Sequence, residues 1–176
     1  MSQVRFIGCL HLGHEWMAKH RGFKDSEEHD DHLIKEWNKI VRKKDLTYIL
    51  GDISMETNRF YHKLDQLNGK KIVVLGNHDE PRDVRMLLLH VETVAGMIDY
   101  KGYVLTHCPI HPAEISFCRG NIHAHIHENK LQEIEYLSRY GDPGEKIEKT
   151  LHKYHCVDVG VIDYKPKLLS EFINGN

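Results

Sequence analysis

At 176 residues, 40 % apolar and 28 % charged, with five prolines, the chain has the length and composition of one folded domain, which excludes disorder and fibrous repeats. A formal charge of −2 excludes a global pull toward nucleic acid or anionic lipid, so basic runs such as Val41–Lys44 read as solvated faces. No apolar run is long enough to span a bilayer, no secretory signal opens the chain, and the four cysteines lack a C-x-x-C pair, so a cytoplasmic, disulfide-free protein is expected.

Val4–Leu10 predicts a short buried strand running straight into Cys9 and His11. Asp25 and Ser26 offer a cap, and Leu33, Ile34, Trp37, Ile40 and Val41 recur at helical spacing behind it. Thr47–Leu50 is a second buried strand ending at Gly51-Asp52, and Phe60, Leu64 and Leu67 mark a second helix closing at Asn68-Gly69. A third strand, Lys71–Leu75, ends at "GNHDE". Strands alternating with helices through Leu89 predict a layered α/β domain with parallel strands covered on both faces. Beyond it, a turn at Lys101-Gly102 separates two strand-like runs, "NIHAHIH" alternates apolar and polar residues, and "YHCVDVGVIDY" is strand-like again. Glu128–Lys153 is charged and broken by "GDPGE", an insertion within a single domain covering residues 1–176.

Metal-competent residues recur just after the carboxyl ends of successive strands, where open α/β sheets place their ligand sites. Cys9 and His11 follow the first strand, Asp52 the second, Asn77 and His78 the third, and His107 follows Val104-Leu105. Alternation along a strand would put His123, His125 and His127 on one face. Fifteen histidines make this residue the compositional outlier, and imidazoles gathered with carboxylates and amides are costly without a cation to satisfy them. Each element alone has a bland reading as a turn or a core histidine. One metal site explains the ordered set together.

The order C-L-H (Cys9–His11), G-D (Gly51-Asp52), G-N-H-D (Gly76–Asp79), T-H (Thr106-His107) and A-H-I-H (Ala124–His127) resembles the calcineurin-like metallophosphoesterase superfamily. The resemblance implies a two-sheet sandwich flanked by helices in a four-layer α/β/β/α arrangement. It implies two divalent metal ions (manganese, zinc, iron or nickel) bridged by Asp52. Cys9, His11 and His127 would hold one, and Asn77, His107 and His125 the other. His78 would act at the phosphate ester, oriented by Asp79. Asn77, His14, Arg21, His111 and Arg119 are candidate substrate-binding residues. The implied activity is a metal-dependent phosphoric ester hydrolase, a phosphodiesterase ahead of a phosphomonoesterase, acting on a small phosphate ester such as a nucleotide or a nucleic-acid end and away from any membrane. Two positions depart from the pattern: Ala124 stands where the motif has glycine, and Cys9 where it has aspartate. Cys9 reads either as a thiolate ligand favouring softer metals or as a small buried residue beside a weakened site. The second option leaves open a binding scaffold that has lost its catalysis.

Overall fold

In the computed structural model, which describes residues 2–115, 117–131 and 151–173, the apolar runs of the first half become parallel strands. β1 (Val4–Ile7), β2 (Leu46–Leu50), β3 (Lys70–Val74) and β4 (Thr93–Ala95) lie side by side in the order β4-β3-β2-β1. Residues 167–168 add a short strand antiparallel to β1 at the far edge. Two helices precede β2. α1 (Glu15–His20) is short, whereas α2 (Ser26–Ile40) is capped by the Asp25 carboxylate, which accepts the Glu28 N–H at 2.9 Å. α2 buries Leu33 and Trp37, and the Trp37 indole N–H donates to the Asn68 carbonyl at 2.9 Å. Two further short helices, α3 (Val84–Leu87) and α4 (Pro112–Ile115), lie in the connections that follow.

The second half forms its own sheet. β5 (Ile98–Tyr100) and β6 (Tyr103–Leu105) make the hairpin read at Lys101-Gly102, and β7 (Gly120–His123) and β8 (Tyr154–Cys156) extend it in parallel, in the order β5-β6-β7-β8. A single hydrophobic cluster joins the two sheets. Phe6 of β1 stacks on Tyr48 of β2 at 5.6 Å and meets Tyr100 of β5 edge-on at 5.4 Å. On the same ring, Phe172 from α5 (Leu169–Ile173) packs at 5.8 Å. The two sheets, with their flanking helices, form a mixed α/β arrangement.

Just beyond β1 the chain bridges to the segment that follows β8. The Gly8 N–H donates to the Val157 carbonyl at 2.8 Å, and the Val159 N–H donates to the Gly8 carbonyl at 3.0 Å. A Cβ at position 8 would lie 2.5 Å from the Ala124 Cβ and 2.8 Å from the Leu50 carbonyl oxygen. Only glycine fits this crossing.

Four expectations change. The first strand ends at Ile7 rather than Leu10, because Cys9 and His11 turn into left-handed backbone at φ 53° and 51°. The predicted helix around Leu64 is a 3-10 turn, Tyr61–Gln66. β7 stops at His123, so strand alternation does not place His123, His125 and His127 on one face. Finally, residues 132–150 of the charged insertion lie outside the described residues, and its end, Leu151–Lys153, is a 3-10 turn. Among the described residues no helix is long and apolar enough to cross a membrane.

Candidate metal centre

The carboxyl ends of β1, β2 and β3 and of β6 and β7 converge. The segments beyond β1 and β2 keep pairing after the strands end, with the Cys9 N–H donating to the Gly51 carbonyl at 3.0 Å and the His11 N–H to the Asp52 carbonyl at 2.9 Å. The Asp79 carboxylate ties the loop after β3 to this seam. One oxygen accepts the Asp52 and Gly76 N–H groups at 2.8 Å each, and the other accepts Ile53 N–H at 2.9 Å. At Gly76 any Cβ would stand 2.2 Å from Asp52 Oδ1, so the glycine of G-N-H-D makes room for the G-D carboxylate.

Five of the converging residues are non-glycine residues with positive φ: Cys9 (53°), His11 (51°), Asp52 (55°), His125 (67°) and His127 (50°). Each such backbone costs about 1–3 kcal/mol, and clustering of that strain is a mark of functional sites.

The side chains form two groups around Asp52. Its Oδ2 lies 3.7 Å from His11 Nε2 and 3.3 Å from His107 Nε2. On one side, ligand atoms of Cys9, His11 and His127 lie within 4.8 Å of one another, and so do those of Cys9, Asp52 and His107. On the other, His107 Nε2 lies 2.9 Å from Asn77 Oδ1 and 3.1 Å from His125 Nδ1. Because His107 Nδ1–H donates to the Leu50 carbonyl at 2.8 Å, the Nε2 that faces Asn77, His125 and Asp52 carries a lone pair when the ring is neutral. His127 is set in the same way: its Nδ1–H donates to Asp158 Oδ2 at 2.7 Å, which frees Nε2 and is the orientation a histidine ligand needs.

His11 decides whether these residues fit a cation. It is buried, and neither ring nitrogen has a hydrogen-bond partner, an expensive state unless something electropositive completes it. Burial drives its pKa down to about 3 against the pull of Asp52, so the ring is neutral and its lone pair free. Around His107 burial works downward, but Asp52 and the Leu50 carbonyl outweigh it and the pKa rises. A proton there occupies the space between lone pairs that a metal ion would occupy. Oxygen, imidazole and thiol donors in this set match divalent transition metals.

No protein-family profile matches the chain. The uncharacterized protein MJ1445 of Methanocaldococcus jannaschii is 31 % identical over 173 residues, covering 94 % of this chain and 86 % of that one. The chain belongs to the family of this archaeal protein. The Gene 66 protein of Mycobacterium phage L5 is 39 % identical over 111 residues, covering 54 % of each chain. Among solved structures, the protein of unknown function AQ665 from Aquifex aeolicus superposes with a TM-score of 0.70 over 99 % of both chains at 22 % identity, a likeness of fold.

The structure surrounds several of the candidate residues differently from what the resemblance implies. Asp79 does not orient His78, since its carboxylate is engaged by three backbone N–H groups. The group beside His78 Nδ1 is Glu56, at 3.3 Å. Arg21 is not an open phosphate fork. Its side chain is 8 % exposed, donates to the Cys9 carbonyl at 3.0 Å, lies 3.6 Å from Asp158 Oδ2 and meets His29 Nε2 at 3.2 Å. Arg119 precedes β7 at the opposite end of the sheet, where it lies against the Lys101-Gly102 turn. His111 Nδ1 accepts the Ala113 N–H at the start of α4. His14 does reach the site, with its ring 5.7 Å from that of His11. His123 is buried, donating from Nδ1 to the Ala124 carbonyl at 2.9 Å.

Two residues escaped the sequence reading. Asp158 had looked like part of a closing strand, yet it is buried against His127 and Arg21, which hold its carboxyl below the usual range although burial alone would raise it. Cys108 joins His107 and His125 in a third group of candidate ligands; its position directly after His107 was the only available signal. Cys9 itself is fully buried, and its Sγ accepts the His125 N–H at 3.2 Å. Burial first, then the Asp158 and Asp52 carboxylates, push its thiol pKa well up. A thiolate here needs a cation.

Proposed function

We propose that this chain is a metal-dependent phosphoric ester hydrolase, acting on phosphodiesters in preference to phosphomonoesters. The observation that carries the reading is the Asp52 carboxylate lying between His11 and His107, with both His11 ring nitrogens buried and unpartnered. Cys9, His11 and His127 would hold one divalent cation and Asn77, His107 and His125 another, with Asp52 shared and manganese, zinc, iron or nickel as the candidate metals. When bound, two such cations would polarise a phosphate, acidify water and neutralise charge on both sides of the scissile bond. The two-sheet, helix-flanked fold is compatible with the four-layer arrangement of calcineurin-like metallophosphoesterases, and the ordered motifs support membership.

The chain's own groups supply the rest. His78 has a half-buried ring fixed through Nδ1 by Glu56, which leaves Nε2 to pass a proton to a departing oxygen. The His78 backbone N–H donates to Asp52 Oδ1 at 3.1 Å, so the shared carboxylate and the proton donor are held by one loop. Asp79 locks that loop to the β2 end. His14, beside His11, is positioned to meet a phosphate oxygen.

The test is elemental analysis combined with hydrolysis of bis-p-nitrophenyl phosphate. Wild-type protein is expected to bind up to two divalent ions and to turn over the diester, and Asp52→Ala to lose both activity and most of the metal. Unchanged metal content in Asp52→Ala would overturn the shared-ligand assignment. The second reading, a scaffold without catalysis, draws on Cys9 standing where the resembled motif has aspartate. It is separated from the first by the Cys9 variants discussed below.

A further inference from the structure

A row of rings leads out of the site. The His11 and His14 ring centroids are 5.7 Å apart, His14 and Trp16 are 6.4 Å apart, and Trp16 lies flat on His20 at 5.0 Å with 6° between planes. Exposure grows along the row: His11 is buried, whereas Trp16 is 63 % exposed. The protein's other tryptophan, Trp37, is fully buried with its indole N–H satisfied. Scattered exposed apolar residues are ordinary. Here the exposed indole sits two ring steps from a candidate metal ligand, and its stack with His20 covers only one of its faces.

A cleft of about 420 Å³ opens beside the outer end of the row. His20 lines its rim, His127 of the candidate metal centre lines its inner side, and Met17, Val161 and Tyr164 give it apolar walls. His20 is held over the cleft by Glu128, 3.5 Å from its Nε2. Inside, the Arg21 charge is already balanced by Asp158, so the cleft offers flat and apolar surface more than anion binding.

We propose that Trp16, backed by His20, is a stacking platform for a nucleobase of the substrate, so that the phosphoesters processed here are nucleotidic. The inference rests on the reading of the site as a phosphoester hydrolase and names its substrate class. Trp16 stands two ring steps, 5.7 and 6.4 Å, from His11, so a nucleotide whose phosphate lay at the His11–Asp52 centre would extend its base along this row. Stacking tolerates any base, because each has a π face. The chain's charge of −2 suits a nucleotide or short oligonucleotide held by stacking, more than a long strand held through many phosphates.

The experiment uses tryptophan emission excited at its red edge, since Trp16 is open to quenching and Trp37 is not. The full chain is titrated with a deoxyadenosine dinucleotide and, in parallel, with ribose 5-phosphate, which has the phosphate and sugar but no base. Saturable quenching is expected from the dinucleotide alone. In Trp16→Leu, the dinucleotide dissociation constant, read by calorimetry, is expected to rise roughly 5- to 150-fold, the equivalent of one lost base stack. Ribose 5-phosphate affinity should stay unchanged. The retained Trp37 emission reports that the variant is folded. Equal binding of the dinucleotide by wild type and Trp16→Leu, or equal quenching by the two probes, overturns the platform. Because the platform is read from binding and the hydrolase reading from ester turnover, a protein that stacks the dinucleotide but hydrolyses no ester refutes the hydrolase reading and leaves the platform standing.

Discussion

Cys9 concentrates the chemical question at the level of single residues. Its sulfur is buried among His11, His127, Asp52 and His107, close enough to serve as a ligand, yet its thiol is pushed toward the protonated form by burial and by Asp158 and Asp52. A bound cation reverses that balance, since thiolate is the ligating form. If Cys9 ligates, Cys9→Ser lowers metal content toward one equivalent, and Cys9→Asp keeps the metal but shifts preference from zinc or iron toward manganese and magnesium. If it only fills space, Cys9→Ser is neutral and Cys9→Asp raises both metal content and activity. Side-by-side stoichiometry and rates separate these outcomes. For His78, the half-buried ring on Glu56 predicts that His78→Ala lowers kcat by roughly 10²–10⁴-fold with metal content unchanged. The loss should shrink for p-nitrophenol esters, whose leaving group needs no proton. An equal loss on good and poor leaving groups would assign His78 to charge stabilisation instead. Most of this cluster was legible as residue types in order along the chain. The partner of His78 was not, because Glu56 reaches it from a turn with no motif, through left-handed backbone at φ 52°.

Among elements, the ends of strands matter more than their bodies. The alternation in "NIHAHIH" spoke for a continued strand, but β7 stops at His123 and the next residues bend, His125 and His127 both in left-handed backbone. Tertiary demands overrode local pattern: His125 and His127 join the candidate ligand groups where the chain has left the sheet. α2 has a second task that its amphipathic stripe did not reveal. Asp30 in its first half accepts from Gly13 N–H at 2.9 Å, from Lys63 Nζ at 2.6 Å and from His29 Nδ1 at 3.0 Å. His29 Nε2 in turn faces Arg21, which holds the Cys9 carbonyl and Asp158. A helix is thereby wired to the candidate metal centre. Arg21→Met removes the centre of that wiring at nearly constant volume. It should destabilise the fold by about 3–5 kcal/mol, as breaking a buried charge pair does, and weaken metal binding by roughly 10–100-fold through Asp158 and His127. Denaturant titration and metal competition measure the two effects; a variant as stable and as metal-avid as wild type would show that the Arg21 pairings carry no net energy and do not support the site.

Across the whole molecule, the candidate centre lies where two sheets meet, drawing candidate ligands from Cys9 at one end of the chain to His127, and a supporting carboxylate from Asp158. Periodicity could announce the α/β class and the strand ends that would carry ligands. It could not announce how close the sheets come or which late residue supports His127, because these depend on pairings far apart in sequence. Assembly around buried histidines also shapes the response to pH. Burial lowers the pKa of His29, despite Asp30, and that of His155, which packs against Phe172 at 5.4 Å. The unfolded chain therefore takes up protons at these rings before the folded one does. Stability is full above the unfolded histidine value of about 6.5 and falls as pH drops below it. Thermal melts of chelator-treated protein should show a declining midpoint from pH 7 to pH 5, with a shallower decline in His155→Phe. A flat profile would mean that these rings are solvated enough to titrate alike in both states.

The crossing of Gly8 and Ala124 has room for one methyl group, and Ala124 already fills it. The two positions therefore share a fixed volume, and variation at one is coupled to the other, although 116 positions separate them in sequence. The sharing is unequal. Removing the Ala124 methyl leaves a small void and a looser turn, costing about 1 kcal/mol. Adding one at Gly8 meets the Leu50 carbonyl as well as Ala124, so Gly8→Ala in an Ala124→Gly background recovers only part of its loss. The residues such a wedge would push apart are the neighbours of Gly8 and Leu50, Cys9 and the Gly51-Asp52 pair. A double-mutant cycle read by metal affinity alongside stability should then show the two quantities falling together, making the spacing between the sheets the dimension on which the proposed metal centre depends.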